Sequence, residues 1–200
     1  MVEPLSCAVH ACQRANILLG SSVLICGSGS IGLLCMMTAK AMGATRICVT
    51  DIVDHKLVVA KKLGADFTLN VKSGTPEEIA KKVIHLMGGK MPEITMECTG
   101  IESSIRMGTF ATKSGGKLVI VGLGSLDAKL PIVNAATREV DIIGSIRFIN
   151  NFPLAVELIA TGRVNVKALI THRYKIEDAL EAFETVKTGR GNCIKVMMSC

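Results

Sequence analysis

Val23-Leu24-Ile25-Cys26-Gly27-Ser28-Gly29-Ser30-Ile31-Gly32 decides the fold of this chain. Four apolar residues run unbroken into a glycine turn, as a strand buried on both faces requires. The turn fits G-x-G-x-x-G. Its first glycine permits a tight reversal and its second lets backbone approach a pyrophosphate. Its third lets the following helix pack against the strand. From about Ile31 to Met42 the pattern is helical, so unpaired N–H groups and the positive end of a helix dipole face such an anion. A glycine-rich turn alone is a weak signal. Here a second apolar strand, Ile47-Cys48-Val49, leads to Thr50-Asp51, and Asp51 stands 19 residues past Gly32. An acidic residue about 20 residues on accepts hydrogen bonds from the ribose of a bound dinucleotide. The plainer alternative is a glycine turn in another α/β protein beside a surface aspartate. Strand, turn, helix and acid in that order favour the dinucleotide.

Outward from this unit the chain alternates strand and helix. A helix is predicted over Leu5–Ile17, with Glu3-Pro4 just before it. Glu3 reads either as an acid favoured by the helix dipole or as a functional group. The helix after the turn, Ile31–Ala44, is apolar almost all round, so its methionines read as core filling. Asp54 is the expected N-cap of a helix to Leu63. Lys56, five residues past Asp51, is either a solvated lysine or a cation beside the adenosine. A strand at Asp66–Val71, a helix at Pro76–Met87 and a strand within Pro92–Gly100 follow. Glu97 is unusual in a central strand and is expected near its carboxyl end. Next come a helix at Ile101–Thr112 and a fifth strand at Lys117–Gly124. Its Gly122 and Gly124 mark either a simple turn or close approach by a ligand. A short helix at Pro131–Arg138 precedes a sixth strand at Val140–Ser145.

The fold class is therefore α/β, a doubly wound six-stranded parallel sheet of the Rossmann type. Right-handed crossovers put every strand's carboxyl end on one edge. That edge collects Gly27–Gly32, Asp51, Cys98–Gly100, Val121–Leu123 and Ser145–Phe148. From Asn150 the pattern changes, with helices predicted at Pro153–Thr161 and Ile176–Thr188 and strands at Ala168–Tyr174 and Cys193–Met198. The expected division is residues 1–149 as the nucleotide-binding domain and 150–200 as a further segment.

Composition narrows the class. Of 200 residues, 49% are hydrophobic and 20% charged, so the chain packs a core rather than staying disordered. The net charge of +6 is not gathered into a basic run, and aromatics are only 3%, which argues against nucleic acid. The apolar runs are too short to span a membrane. The N-terminal residues lack a secretory pattern. Eight cysteines without a C-x-x-C read as reduced, mostly core thiols in a cytoplasmic protein, and their spacing does not make a zinc cluster.

Several short motifs occur together: EPLS at 3–6, CGSGSIG at 26–32, VTD at 49–51, ECTG at 97–100, VGLG at 121–124, REVDI at 138–142 and ALEAFETVKTG at 179–189. As a set, spread over essentially the whole chain, they resemble the zinc-containing medium-chain dehydrogenases, most of all their polyol-oxidising members. The resemblance implies NAD as cofactor, with Gly27, Gly29, Ile31 and Gly32 at the pyrophosphate and Asp51 and Lys56 at the adenosine. It puts Val121, Gly122, Leu123, Ser145, Ile146 and Arg147 around the nicotinamide. Glu3, Arg147 and Phe148 would meet the polyol, with Glu3 beside the zinc-bound water. Lys56 stands where mammalian members carry arginine, and Phe148 where they carry tyrosine.

In that family a zinc-holding catalytic domain precedes the EPLS stretch, so zinc ligands are not expected among these residues. The segment after Asn150 would complete that domain. The expectation is oxidation of a polyol such as sorbitol to a ketose by the whole family enzyme. This chain would supply the cofactor part and be inactive alone. Other zinc alcohol, polyol or threonine dehydrogenases, and a free-standing NAD-binding module, are the alternatives. The resemblance also implies a tetramer, with the strand Val140–Ser145 as the edge available for pairing.

Overall fold

The structure, a computed structural model, describes residues 1–200. Helix α1 (Val2–Ala15) leads into β1 (Ser22–Cys26), α2 (Ser30–Ala41), β2 (Arg46–Asp51), α3 (Asp54–Lys62) and β3 (Phe67–Asn70). The second half of the sheet is α4 (Pro76–Leu86), β4 (Ile94–Glu97), α5 (Glu102–Ala111), β5 (Lys117–Ile120), α6 (Ile132–Thr137) and β6 (Asp141–Gly144). The remainder is α7 (Phe152–Ala160), β7 (Ile170–Lys175), α8 (Ala179–Thr188) and β8 (Lys195–Ser199), with single 3-10 turns before and after β7.

The six strands pair in parallel in the order β3-β2-β1-β4-β5-β6. The chain reverses its direction of travel between β1 and β4, and ligands of open α/β sheets lie outside the strand carboxyl ends at such a switch. The apolar run at 23–26 is explained by burial on both faces. Val23 and Ile25 join the larger core with α1, α2 and α7, whereas Leu24 and Cys26 join a second core under α4 and α5. Met36 and Met37 are buried, as the core reading of the apolar helix requires.

Helix α1 starts earlier than the periodicity suggests. Glu3 and Pro4 lie inside its first turn, and Asn16 closes it in the left-handed conformation. Asp54 is not the N-cap of α3. Val53 holds that place, and the Asp54 carboxylate instead accepts from Asn70 Nδ2 at 2.6 Å. Thr75 and Glu78 form a full capping box at α4, with Pro76 in its first turn.

After residue 150 the chain does not leave the sheet at once. Ala155, Val164, Val166 and Leu169 are buried in the same core as α1 and α2, and Asn151 Nδ2 donates to Gln13 Oε1 at 2.8 Å. Only then do β7, α8 and β8 form a separate two-stranded parallel β-α-β unit. No helix is long and apolar enough to cross a membrane.

Candidate dinucleotide cleft

The glycine turn sits where β1 meets α2. Gly27 has φ +93°, open to glycine, and a Cβ there would press on Thr99 Cγ2 across the switch point. A side chain on Gly32 would collide with the Gly27 carbonyl, so the first turn of α2 packs directly on the turn it leaves. Gly29 faces open space and caps α2 with no side-chain hydrogen bond, so the N–H groups of the first turn keep their donors free.

Asp51 ends β2 beside this turn. Its Oδ2 accepts from the Ser28 backbone N–H at 2.7 Å and the Ser28 hydroxyl at 2.8 Å, and its Oδ1 accepts from Val53 N–H at 3.0 Å. Gly27, Asp51 and Lys56 line a cavity of about 440 Å³, together with Val71, Ile101 and Ser104. The two residues assigned to the adenosine, Asp51 and Lys56, thus share one hollow with the first glycine of the turn.

A second cavity of about 240 Å³ lies at the other end of the edge. It is lined by Glu3, Cys7, Ile31, Val121, Leu123, Ser145, Ile146 and Arg147. The first turn of α1, the start of α2 and the exits of β5 and β6 therefore meet here, although up to 144 positions separate them in sequence. Gly122 stands between two of the lining residues. Ile31, the fifth residue of the glycine motif, is part of this lining. Arg147 holds φ +53°, a left-handed conformation uncommon for a bulky residue. Phe148 is not part of the lining. Its ring packs on Phe152 of α7 with centroids 4.7 Å apart.

Cys7 is the lining residue that motif reading passes over. It lies one helical turn from Glu3, a spacing that places two side chains on one face. Its Sγ donates to Glu3 Oε1 at 3.5 Å. Burial, then the Glu3 charge, pushes the thiol up to about 11. A thiol so protonated is a packing group and weak donor, not a nucleophile. No group of three His, Cys, Asp or Glu side chains is placed to hold a metal ion. A zinc site therefore does not fit the residues present.

Residues 30–161 match the sequence profile of the zinc-binding dehydrogenases. The chain belongs to this family. Sorbitol dehydrogenase of Ovis aries is 54% identical over 200 residues, which are all of this chain and 56% of that protein. The crystal structure of L-idonate 5-dehydrogenase from Escherichia coli superposes with a TM-score of 0.88 at 29% identity, covering 100% of this chain and 56% of the other. A zinc-binding dehydrogenase of Sinorhizobium meliloti, bound to NADP, superposes with a TM-score of 0.89 at 25% identity, covering 100% and 58%. The chain spans about half the length of the curated relatives it matches. The resemblance carried by the EPLS, CGSGSIG and ECTG motifs is thus to the family found here, and the Rossmann-type sheet is the fold of these zinc dehydrogenases.

Proposed function

We propose that these residues are the cofactor-binding part of an NAD-dependent polyol dehydrogenase, an enzyme that oxidises a polyol such as sorbitol to a ketose. The observation that carries the reading is the Asp51 carboxylate, held against Ser28 of the glycine turn on the wall of the larger cavity. An ionised carboxylate offers about four acceptor sites. Three are taken by Ser28 and Val53, which leaves Oδ1 free for a ribose hydroxyl. The Ser28 hydroxyl can rotate away to release Oδ2 for a second. A 2′-phosphate in the same position would meet a like charge, so this chain takes NAD where the Sinorhizobium relative holds NADP.

The uncapped first turn of α2 receives the diphosphate. The smaller cavity takes the nicotinamide, with Ile31 and Val121 as apolar walls and Glu3, Ser145 and Arg147 as polar groups. A bound nicotinamide supplies the hydride acceptor, and the chain's residues hold and orient it. Glu3 and Arg147 lie at the end where the polyol would approach, and the polyol class comes from the likeness to sorbitol dehydrogenase. No step is assigned to zinc, because the residues present do not form its site. The exposed edge at Asp141 and Ile142 of β6 is the place for pairing with a second copy.

Calorimetric titration with NADH and NADPH tests the cofactor reading. Binding of NADH well ahead of NADPH is the expected result, and no heat with NADH would refute it. NAD⁺-dependent oxidation of sorbitol by a longer chain that joins these residues to a zinc-holding catalytic domain, with threonine as the competing substrate, tests the polyol assignment. Turnover of threonine but not sorbitol would overturn that part alone.

A further inference from the structure

Glu97 is the last residue of β4 and is wholly buried, yet no lysine or arginine is among its hydrogen-bond partners. Its carboxylate is instead surrounded by donors. Oε1 accepts from Thr99 N–H at 2.9 Å, from the Thr99 hydroxyl and from the Ser104 hydroxyl at 2.9 Å. Oε2 accepts from Gly100 N–H alone, at 2.9 Å. The Glu97 backbone carbonyl accepts from both Val121 N–H and Gly122 N–H at 2.8 Å. One residue therefore holds the exit loops of β4 and β5 together.

Those loops touch backbone on backbone. Gly100 holds φ +74°, and a Cβ there would lie 2.6 Å from Gly124 N. A Cβ on Gly124 would collide with the Gly100 carbonyl. Thr99 and Ser104 line the larger cavity, whereas Val121 and Leu123 line the smaller one. Oε1 is thus tied to residues on the wall of the larger cavity, and Oε2 to Gly100, whose backbone touches Leu123 and Gly124 of the loop that borders the smaller one.

We infer that Glu97 is a positioning residue whose Oε2, through Gly100, sets the β5 exit loop against the nicotinamide, while Oε1 sets the adenosine wall. This rests on the cofactor placement proposed above. It predicts an asymmetric effect of Glu97→Gln. The amide oxygen takes over the three donors at Oε1, because an amide nitrogen cannot accept there. The amide nitrogen then faces Gly100 N–H, donor against donor, and Gly100 must shift. Gly124→Ala disturbs the same backbone contact from an exposed loop and leaves Glu97 intact.

The test is calorimetric titration of wild type, Glu97→Gln and Gly124→Ala with NADH and, separately, with AMP, which fills only the adenosine end. Thermal unfolding is recorded alongside. The expected result is NADH binding weakened about tenfold or more in both variants, AMP binding within about twofold of wild type. Equal losses of NADH and AMP affinity that follow a drop in the unfolding midpoint would reduce Glu97 to a structural role and overturn the inference. Unchanged NADH binding in either variant would overturn it as well. If Glu97→Gln does not fold, Gly124→Ala decides by the same criteria. Wild type that binds neither nucleotide refutes the cofactor reading itself, a result distinct from any failure of the variants.

Discussion

Replacing Asp51 with serine removes a charge without adding bulk. In the structure the carboxylate accepts three hydrogen bonds at 2.7, 2.8 and 3.0 Å and lines the larger cavity. A hydrogen bond to a charged acceptor contributes about 1.5–3 kcal/mol. Loss of one such bond to the ribose weakens NADH by roughly 10- to 150-fold. NADPH responds in the opposite direction. Two unit charges about 4 Å apart repel by about 4 kcal/mol at an effective dielectric of 20. Asp51 is only half-buried, so water and salt reduce this to about a third, roughly tenfold in affinity. The ratio of NADPH to NADH dissociation constants should therefore fall by roughly a hundredfold or more. Fluorescence titration of each nucleotide at fixed ionic strength measures it. The NADPH gain should shrink as salt is raised. Dissociation constants for both nucleotides that match wild type would refute the reasoning, because a carboxylate facing the ribose cannot be removed without either effect.

Three further outcomes follow from the packing. Gly32→Ala drives a methyl group into the Gly27 carbonyl, so it should cost about 1–3 kcal/mol in urea unfolding and abolish NADH binding. Thr75→Ala removes the capping box of α4 and should lower stability by about 0.5–2 kcal/mol while leaving NADH affinity unchanged, a pairing that chemical unfolding and titration check together. Burial pushes the Cys48 thiol up to about 12 from an ordinary value of 9.0. The unfolded chain gives up that proton first, so the stabilising contribution is complete below about pH 9 and is lost as pH rises toward 12. Urea midpoints at neutral and alkaline pH should show this decline, and Cys48→Val should make it shallower.

The sheet, the glycine turn and the position of Asp51 were legible in the residues alone. Each depends on short-range rules: an apolar run for a doubly buried strand, glycines where backbones must touch, and a fixed span from turn to acid. The ends of elements were less legible. Asp54 had the right chemistry for an N-cap, but Asn70 on the neighbouring strand claimed its carboxylate. Phe148 followed the pocket residues in sequence, yet Phe152 drew its ring onto α7.

What the residues determined by themselves is the sheet edge that carries the cleft and the carboxylate beside its glycine turn, since both are written in contiguous segments. The environment of Glu97 was decided only in three dimensions. Its donors on Thr99, Gly100 and Ser104 are close in sequence, but the glycines that pack against them at 122 and 124 lie in the loop after the next strand. The same is true of Cys7 and Glu3 beside Arg147. Such groups meet only after the strand order 3-2-1-4-5-6 brings their loops to one edge, and a periodicity of two or of 3.6 residues carries no record of that pairing.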